Sequence, residues 1–470
     1  MEGQSGPNHP RRPTRHDETR TQGSDMGQNG IRAAAVLAAG LGLSACVGED
    51  PMGAGFVSRL AGPAAAAPEA EAAAFAGTDS TYDAKLSAES PVIQGLLERT
   101  SILPPGSSYD RVAGAVLAAN SRAAESELRA ARLRAEAASK NWLPTLGPQI
   151  SLTSLSSIVA NIVVDQVIFD NGRKKGERAF AKADVEVAAV ALSEDTNDRV
   201  ADALGLYLTA AEGREAAALE AAVLKDMQHF EYIMSERVKG GVSDMSDLNI
   251  IRAKLAEIRS RRDAAAEAER TALAELNAMA AEPLNAVRGV PELAVSVAAA
   301  QPLTVTKAGA EKTRAIAEAQ VERGGALPGV SLSGTVGEGS TLGLNVGGAQ
   351  LGLGTPARLR AIEEAKEAAT RQVAQATEDA ARTLARLDSQ LAAKRRQAAE
   401  AQGLTGQAKA NLDLFQQQYA AGRRQVMDVV GVYETFAARQ AAEIRLKFEA
   451  KTLEVEIARL QGVLAEGTAI

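Results

Sequence analysis

Two periodicities alternate along this chain. Ile150 and Leu152 stand against Gln149, Ser151 and Thr153, and Ile158, Ala160, Ile162 and Val164 against Asn161 and Asp165. The same period of two returns at Val330, Leu332 and Val336 against Ser331, Ser333 and Thr335, then at Leu342, Leu344 and Val346 against Gly343, Asn345 and Gly347. Period two predicts strands, and the turn-rich SSLSS and GEGS between the members of each pair predict two β-hairpins. A helix is expected before each hairpin, over Tyr109 to Asn141 and about Ala308 to Arg323. After each hairpin the period lengthens at once. Arg173 to Val238 and Ala357 to Ala420 have no proline and few glycines, so each predicts one helix of roughly 95–100 Å at 1.5 Å per residue. A glycine-containing turn and a returning helix follow, Ser246 to Ala281 and Gln425 to Gly462. Leu384, Leu387 and Leu391, then Ala408, Leu412, Phe415 and Tyr419, have the 3/4 spacing of a coiled-coil seam.

The two sets of elements register on one another. Leu143-Pro144 recurs as Leu327-Pro328, Gly172 as Gly354, Ala179 and Ala183 as Ala361 and Ala365, and Gly241 with Asp247 as Gly422 with Asp428, each about 182 residues later. Landmarks in one order at nearly constant offset indicate an internal duplication. The expected organisation is repeat one over 107–282, a linker with three prolines over 283–305, and repeat two over 306–470.

The N-terminal part is built differently. Within MGQNGIRAAAVLAAGLGLSAC (residues 26–46), Arg32 precedes an apolar stretch from Ala33 to Leu43 that is too short to span a bilayer permanently, as in a secretory signal. Leu43-Ser44-Ala45-Cys46 resembles the bacterial lipobox, which implies lipidation at Cys46. Met26 is the expected start of translation, because residues 1–25 have no place in a signal. Leader and signal are thus assigned to 1–45, and an Ala/Pro-rich, lipid-anchored tether to 46–106, with one short helix near Val92 to Leu97. Val47 after the cysteine, rather than Asp, resembles lipoproteins sorted to the outer membrane.

Composition narrows the fold further. Of 470 residues 46% are apolar but only 3% aromatic, with one Trp, so elongated Ala-lined helices are a better expectation than a large globular core. The formal charge is −7 with basic and acidic residues interspersed, which offers no stripe for a nucleic acid. One cysteine and three histidines exclude a Cys/His dyad or a zinc cluster, and His229 reads as a surface residue. GEGSTLG lacks the Lys-Ser/Thr of a phosphate loop and reads as a hairpin turn. No catalytic constellation is found, so neither an enzyme nor a cofactor is expected.

Two hairpins in lipid must be closed into a barrel, because open edges would leave backbone groups unpaired. The long helices are too polar for lipid and must project into water. At this point the Leu-Pro before each hairpin, the junction VIFDNGRKKGERA, the run from Val200 to Leu208 and the two Gly-x5-Asp turns together resemble the TolC-like outer-membrane efflux protein family, over about residues 108–465. The resemblance implies a mainly α fold with a small β-barrel: a homotrimer closing a 12-stranded outer-membrane β-barrel, continued by a long periplasmic α-helical barrel. It implies strand-to-helix junctions at Phe169, Asp170, Asn171 and Gly172 and at Gly354, Thr355 and Pro356. It also implies tips that dock a periplasmic adaptor protein, at Lys239, Gly240, Gly241, Val242, Ser243 and Asp247 and at Ala421, Gly422, Arg423, Arg424 and Asp428. An inner-membrane transporter would be the further partner, and outer-membrane lipid the surroundings of the barrel. The second tip, QQQYAAGRRQVMDVVGVYE, looks closest to members serving type I protein secretion. The alternative is a lipid-anchored periplasmic coiled-coil adaptor, which would have one helical hairpin between small β-domains.

Overall fold

The computed structural model describes residues 87–119, 123–154, 157–296, 300–336, 340–348 and 351–469. The expected signal peptide, Cys46 and most of the expected tether lie outside the described residues. The strands, the long helices and the returning helices form where their patterns predict them. In chain order the elements are α1 (Pro91–Leu97), α2 (Ser108–Ala118), α3 (Ala123–Ser139), β1 (Thr145–Ser154), β2 (Ser157–Phe169), α4 (Arg173–Lys239) and α5 (Met245–Met279). They continue with α6 (Leu303–Gly325), β3 (Pro328–Val336), β4 (Thr341–Gly348), α7 (Thr355–Ala420) and α8 (Val426–Gln461). The order helix, two strands, long helix, shorter helix therefore occurs twice.

Two expectations are corrected. The helix expected over Tyr109 to Asn141 is two helices, α2 and α3, because the backbone leaves the helical conformation at Ala119 (ψ 85°), the C-cap of α2. The helix before the second hairpin starts earlier than expected, at Leu303, behind the N-cap Pro302. The residues around it are not a free connection: Leu284, Val287 and Leu293 are buried in the same core as Tyr109, Val200, Leu204 and Tyr207. Burying a Leu or Val stabilises by about 1.5–3 kcal/mol, which suffices to hold such a connection on the body.

The four strands form one antiparallel sheet in the order β1-β2-β3-β4, so the two hairpins join through β2 and β3. Pairing places Leu146, Val164, Gly334 and Leu342 in one row and Gln166, Leu332 and Leu344 in the next. The opposite face carries Gly147, Val163, Thr335 and Thr341, then Thr145, Asp165, Ser333 and Gly343. A bulge between Val167 and Phe169 moves Phe169 opposite Val330 and Val346, onto the apolar face. That face is open: Leu146, Ile162, Phe169, Leu342, Leu344 and Val346 are all more than half exposed. Among the described residues, β1 and β4 each pair on one side only.

Helix α4, 67 residues long, is the spine against which α1, α2, α3, α5, α6 and α8 pack, while α7 packs on α6 and α8. Two apolar clusters lie nearest the sheet and at mid-length. One holds Ile93 and Leu96 of α1 against Leu128 of α3, Val185 and Val190 of α4 and Leu303 of α6. The other centres on Tyr109 and Tyr207, whose rings meet edge to face at 6.1 Å. The expected seam exists: Leu384, Leu387 and Leu391 bury against Ala450 and Ile457 of α8. The segment after α1 runs beside the C-terminal residues, with Ile102 N donating to Val463 O at 2.9 Å and Gly467 N to Arg99 O at 2.8 Å. Arg99 donates to the carbonyls of Gln461 and Gln301, and so satisfies the last turn of α8.

Candidate functional site

The sequence points to two places, the strand-to-helix junctions and the helical tips. At the first junction the chain passes from β2 to α4 in three residues. Asn171 (φ 53°) and Gly172 (φ 84°) both take the left-handed conformation. Asp170 holds the turn: its carboxylate accepts from Gly172 N at 3.1 Å and from Lys174 N at 2.7 Å, and so serves a donor of the first helical turn. Asn171 donates to Pro328 O at 2.8 Å, tying this junction to the start of the second hairpin. The neighbouring backbones touch: a Cβ at Gly324 would lie 2.7 Å from Arg173 Cβ, and one at Gly329 only 2.8 Å from Phe169 O.

The second junction reaches the same end by another route. Gly354 has φ −83°, Thr355 Oγ1 accepts from Gly352 N at 3.1 Å, and Pro356 stands in the first turn of α7, where its missing N–H costs nothing. Here the positive φ falls on Gly348, at the end of β4 (φ 112°). Sequence reasoning missed Asn141, between α3 and β1. Its amide donates to Lys174 O and Glu177 Oε2, each at 3.0 Å, and its carbonyl oxygen accepts from Arg178 at 2.7 Å. Gln166 adds a bond to Trp142 O at 2.9 Å. A lone Asn and a lone Gln offer no pattern by which a sequence could flag them.

The tips share one device. In both, the glycine aligned by the repeat is the left-handed residue after the helix: Gly241 at φ 70° and Gly422 at φ 69°. Val242 N donates to Arg237 O at 2.8 Å and Gly241 N to Val238 O at 3.0 Å; Arg423 N donates to Gln418 O and Gly422 N to Tyr419 O, each at 2.9 Å. This is the Schellman pattern, which satisfies the last carbonyls of α4 and α7. Gly240 and Ala421 are the C-cap residues. Asp247 and Asp428 occupy matching third positions of the returning helices. Only Asp428 takes part in a capping box, accepting from Gln425 N at 3.2 Å; the cap of α5 is Asp244, which accepts from Ser246 N.

The surface of the tips is partly accounted for by internal bonds. Lys239 pairs with Glu236 at 2.8 Å, a hydrogen bond that raises its pKa, and Ser243 accepts from Arg237 at 3.0 Å. Arg424 folds back on its own helix, donating to Gln418 at 3.0 Å with its guanidinium 4.4 Å from the centre of the Phe415 ring. Arg423 has no side-chain partner among the described residues, and Val242 is two-thirds exposed. His229 is exposed, as expected.

Behind the tips the two helical hairpins are joined. Met227, Phe230 and Met234 of α4 and Ile251 and Leu255 of α5 pack with Val426, Val430 and Tyr433 of α8 and Leu412 of α7. Tyr433 donates to Asp226 at 2.6 Å, and Lys254 pairs with Glu434 at 2.5 Å. Burial, with the neighbouring carboxylate, pushes the Tyr433 hydroxyl well above its usual pKa. Beside this pair lies a cleft of about 480 Å³ between α4, α5 and α8. Its charged lining balances, Lys254, Arg261 and Arg445 against Glu220, Glu257 and Glu434, and does not favour a ligand of either sign. Among the described residues, no helix is long and apolar enough to cross a membrane.

No protein-family model matches the sequence, and no curated protein matches it. Solved structures do resemble it. A membrane protein from Pseudomonas aeruginosa superposes with a TM-score of 0.66 at 16% identity, over 77% of this chain and 91% of that one. The Campylobacter jejuni CmeC outer membrane channel gives 0.64 at 14% identity, over 77% and 87%. The outer membrane protein VceC from Vibrio cholerae gives 0.62 at 14%, over 81% and 97%.

Proposed function

We propose, from the premise that this chain has the TolC-like fold of outer-membrane channels, that it is the outer-membrane exit duct of a tripartite export system. Three copies close their sheets, β4 of one on β1 of the next, into a 12-stranded barrel. The helices continue as a hollow periplasmic barrel, built by an internally duplicated chain. The observation that carries the reading is the sheet, which has one open apolar face, one polar face and two edges unpaired among the described residues, and runs within a few residues into helices of 67 and 66 residues. In lipid such edges are satisfied only by closure. Strands of 8 to 13 residues, of which β4 alone is short of the roughly 9–11 needed for a tilted crossing, fit a thin barrel.

The duct is passive. A periplasmic adaptor docks on the two tips, where Val242 and Arg423 are the groups least engaged by the protein itself, and an inner-membrane transporter supplies the energy. The cargo class is that of type I protein secretion or of efflux. Cys46 carries the lipid anchor at the head of the tether. The adaptor alternative gains no support from a single four-stranded sheet shared by both hairpins.

Electron microscopy of detergent-purified protein tests the reading: trimers with a short membrane collar and a long tube are expected, and a compact monomer that needs no detergent would refute it. Cys46→Ser should abolish lipid labelling, and unchanged labelling would remove the anchor. Arg423→Glu with Arg424→Glu should block export at normal membrane levels, and normal export would reduce the second tip to a turn.

A further inference from the structure

The apolar face of the sheet ends in a rim where cations outnumber acids. Where β2 passes into α4, Ile168 and Phe169 are 59% and 57% exposed, and Arg173, Lys174 and Lys175 follow within seven residues. Where β4 passes to α7, Leu351 and Leu353 are 65% and 105% exposed, and Arg358 and Arg360 follow. Where α3 passes to β1 the order reverses with the chain direction: Lys140 comes first, then the exposed Trp142 and Leu143. Three passages thus share one layering, apolar residues on the sheet side and cations on the helix side.

The excess is local. Residues 173–178 and 355–360 hold six cations and one acid, Glu177, in a chain whose net charge is −7. Three of the six are used internally: Arg173 pairs with Glu177 at 3.0 Å, Lys174 donates to Asn141 O, and Arg178 donates to Asn141 Oδ1 at 2.7 Å. Lys175, Arg358 and Arg360 are exposed and have no side-chain partner among the described residues. Both helices also lack an acidic residue in the first turn, where helix electrostatics would favour one, so the helices themselves do not explain the cations.

We propose that this rim binds the headgroups of anionic phospholipid in the leaflet that meets the helical end of the sheet. The inference rests on the outer-membrane reading. Lys175 lies three residues below Gly172, and Arg358 and Arg360 four and six below Gly354, or about 4–9 Å at 1.5 Å per residue. The headgroup layer of one leaflet is about 5–8 Å thick, so the cations stand at phosphate depth when the apolar face is in hydrocarbon. Long basic side chains reach that layer while their stems stay against apolar surface. A soluble polyanion would not require the cations to border an apolar band. A neutral lipid would not require the cations.

The full chain is incorporated into nanodiscs of phosphatidylcholine with a minor fraction of phosphatidylglycerol, and the lipid retained on re-extraction is measured by mass spectrometry. A basic residue near an anionic surface is worth about fivefold in local lipid preference, so wild type should retain several-fold more phosphatidylglycerol than the bulk ratio, less at high salt. Lys175→Gln with Arg358→Gln and Arg360→Gln should return the ratio to bulk, whereas Arg358→Lys with Arg360→Lys should keep the enrichment and so exclude a folding defect. No enrichment in inserted wild type, or enrichment that survives the Gln substitutions, overturns the lipid proposal and leaves the duct reading standing. A protein that enters no disc and stays in solution without detergent overturns both.

Discussion

Replacing Gly213 by Ala should destabilise the protein although the same change at Gly205, on the same helix, should stabilise it. A Cβ at Gly213 would lie 2.8 Å from Ala265 O, 2.9 Å from Glu269 N and 3.4 Å from Glu269 Cα, all backbone atoms of α5. Ordinary contact begins near 3.4 Å, so α4 and α5 must separate by roughly half an ångström, in a region also clamped by the Arg214–Glu269 pair at 2.7 Å. Overpacking of this kind costs about 1–3 kcal/mol. Against it stands about 1 kcal/mol gained because Ala is the better helix former. Gly205, two turns earlier on the same helix, has nothing within 4 Å of a built Cβ and supplies the control. The propensity gain is common to Gly213→Ala and Gly205→Ala and cancels between them. Their difference isolates the close approach, with Gly205→Ala the more stable by about 1–3 kcal/mol. Thermal melting followed by circular dichroism in detergent, with hydrogen exchange over residues 265–269, reads both. Equal stability of the two variants would refute the contact between the helices.

Asp170→Ala removes the acceptor of two amides at the start of α4 and should cost about 1 kcal/mol, seen as faster exchange in the first turn of that helix alone; unchanged exchange would deny Asp170 its capping role. Tyr433→Phe should weaken the joint between the helical hairpins by about 1.5 kcal/mol, the low end for a bond to a carboxylate because Asp226 is exposed. A double-mutant cycle with Asp226→Asn measures it, and strict additivity would refute the coupling. Glu212 has its pKa raised by burial first and by Glu449 next, against a lowering from Arg445. The folded state therefore holds this proton more tightly than the unfolded chain, so the contribution of Glu212 is present at acid pH and is lost as pH rises through the unfolded and then the folded value. Glu212→Gln should gain stability relative to wild type from mildly acidic to neutral pH, and a pH-independent difference between the two would contradict the assignment.

Much of the fold is legible in the sequence because its elements are long and strictly periodic. The period of two at Ser157 to Phe169 and the absence of proline from Arg173 onward fix the type and nearly the bounds of β2 and α4. Gly241 and Gly422 were identifiable as turn residues for the same local reason: only glycine readily takes φ near +70°. What could not be read locally is what lies across from what. Alternation alone puts Phe169 on the polar face, and only the bulge opposite Ser331 and Val330, 161 to 162 positions away in sequence, turns it to the apolar one. Pro283, Pro291 and Pro302 mark the linker in the sequence but say nothing of its packing, and Leu284, Val287 and Leu293 find a core built largely from α2, α4 and α8.

The candidate site divides in the same way. Local chemistry marks Asp170-Asn171-Gly172 as a turn and Arg423-Arg424 as exposed cations. The structure shows that Arg424 is occupied by Phe415 and Gln418 while Arg423 is not. It also shows that Asn141, Gln166 and Tyr433 bind partners up to 207 positions distant. By itself the sequence determined the strands, the long helices, their repetition and the turn glycines, because these depend on side-chain period and on backbone conformations available to neighbouring residues. Only the tertiary structure decided strand order, the bulge, the burial of the linker and the joint between the helical hairpins. Those depend on register between segments far apart in the chain, which no local propensity encodes.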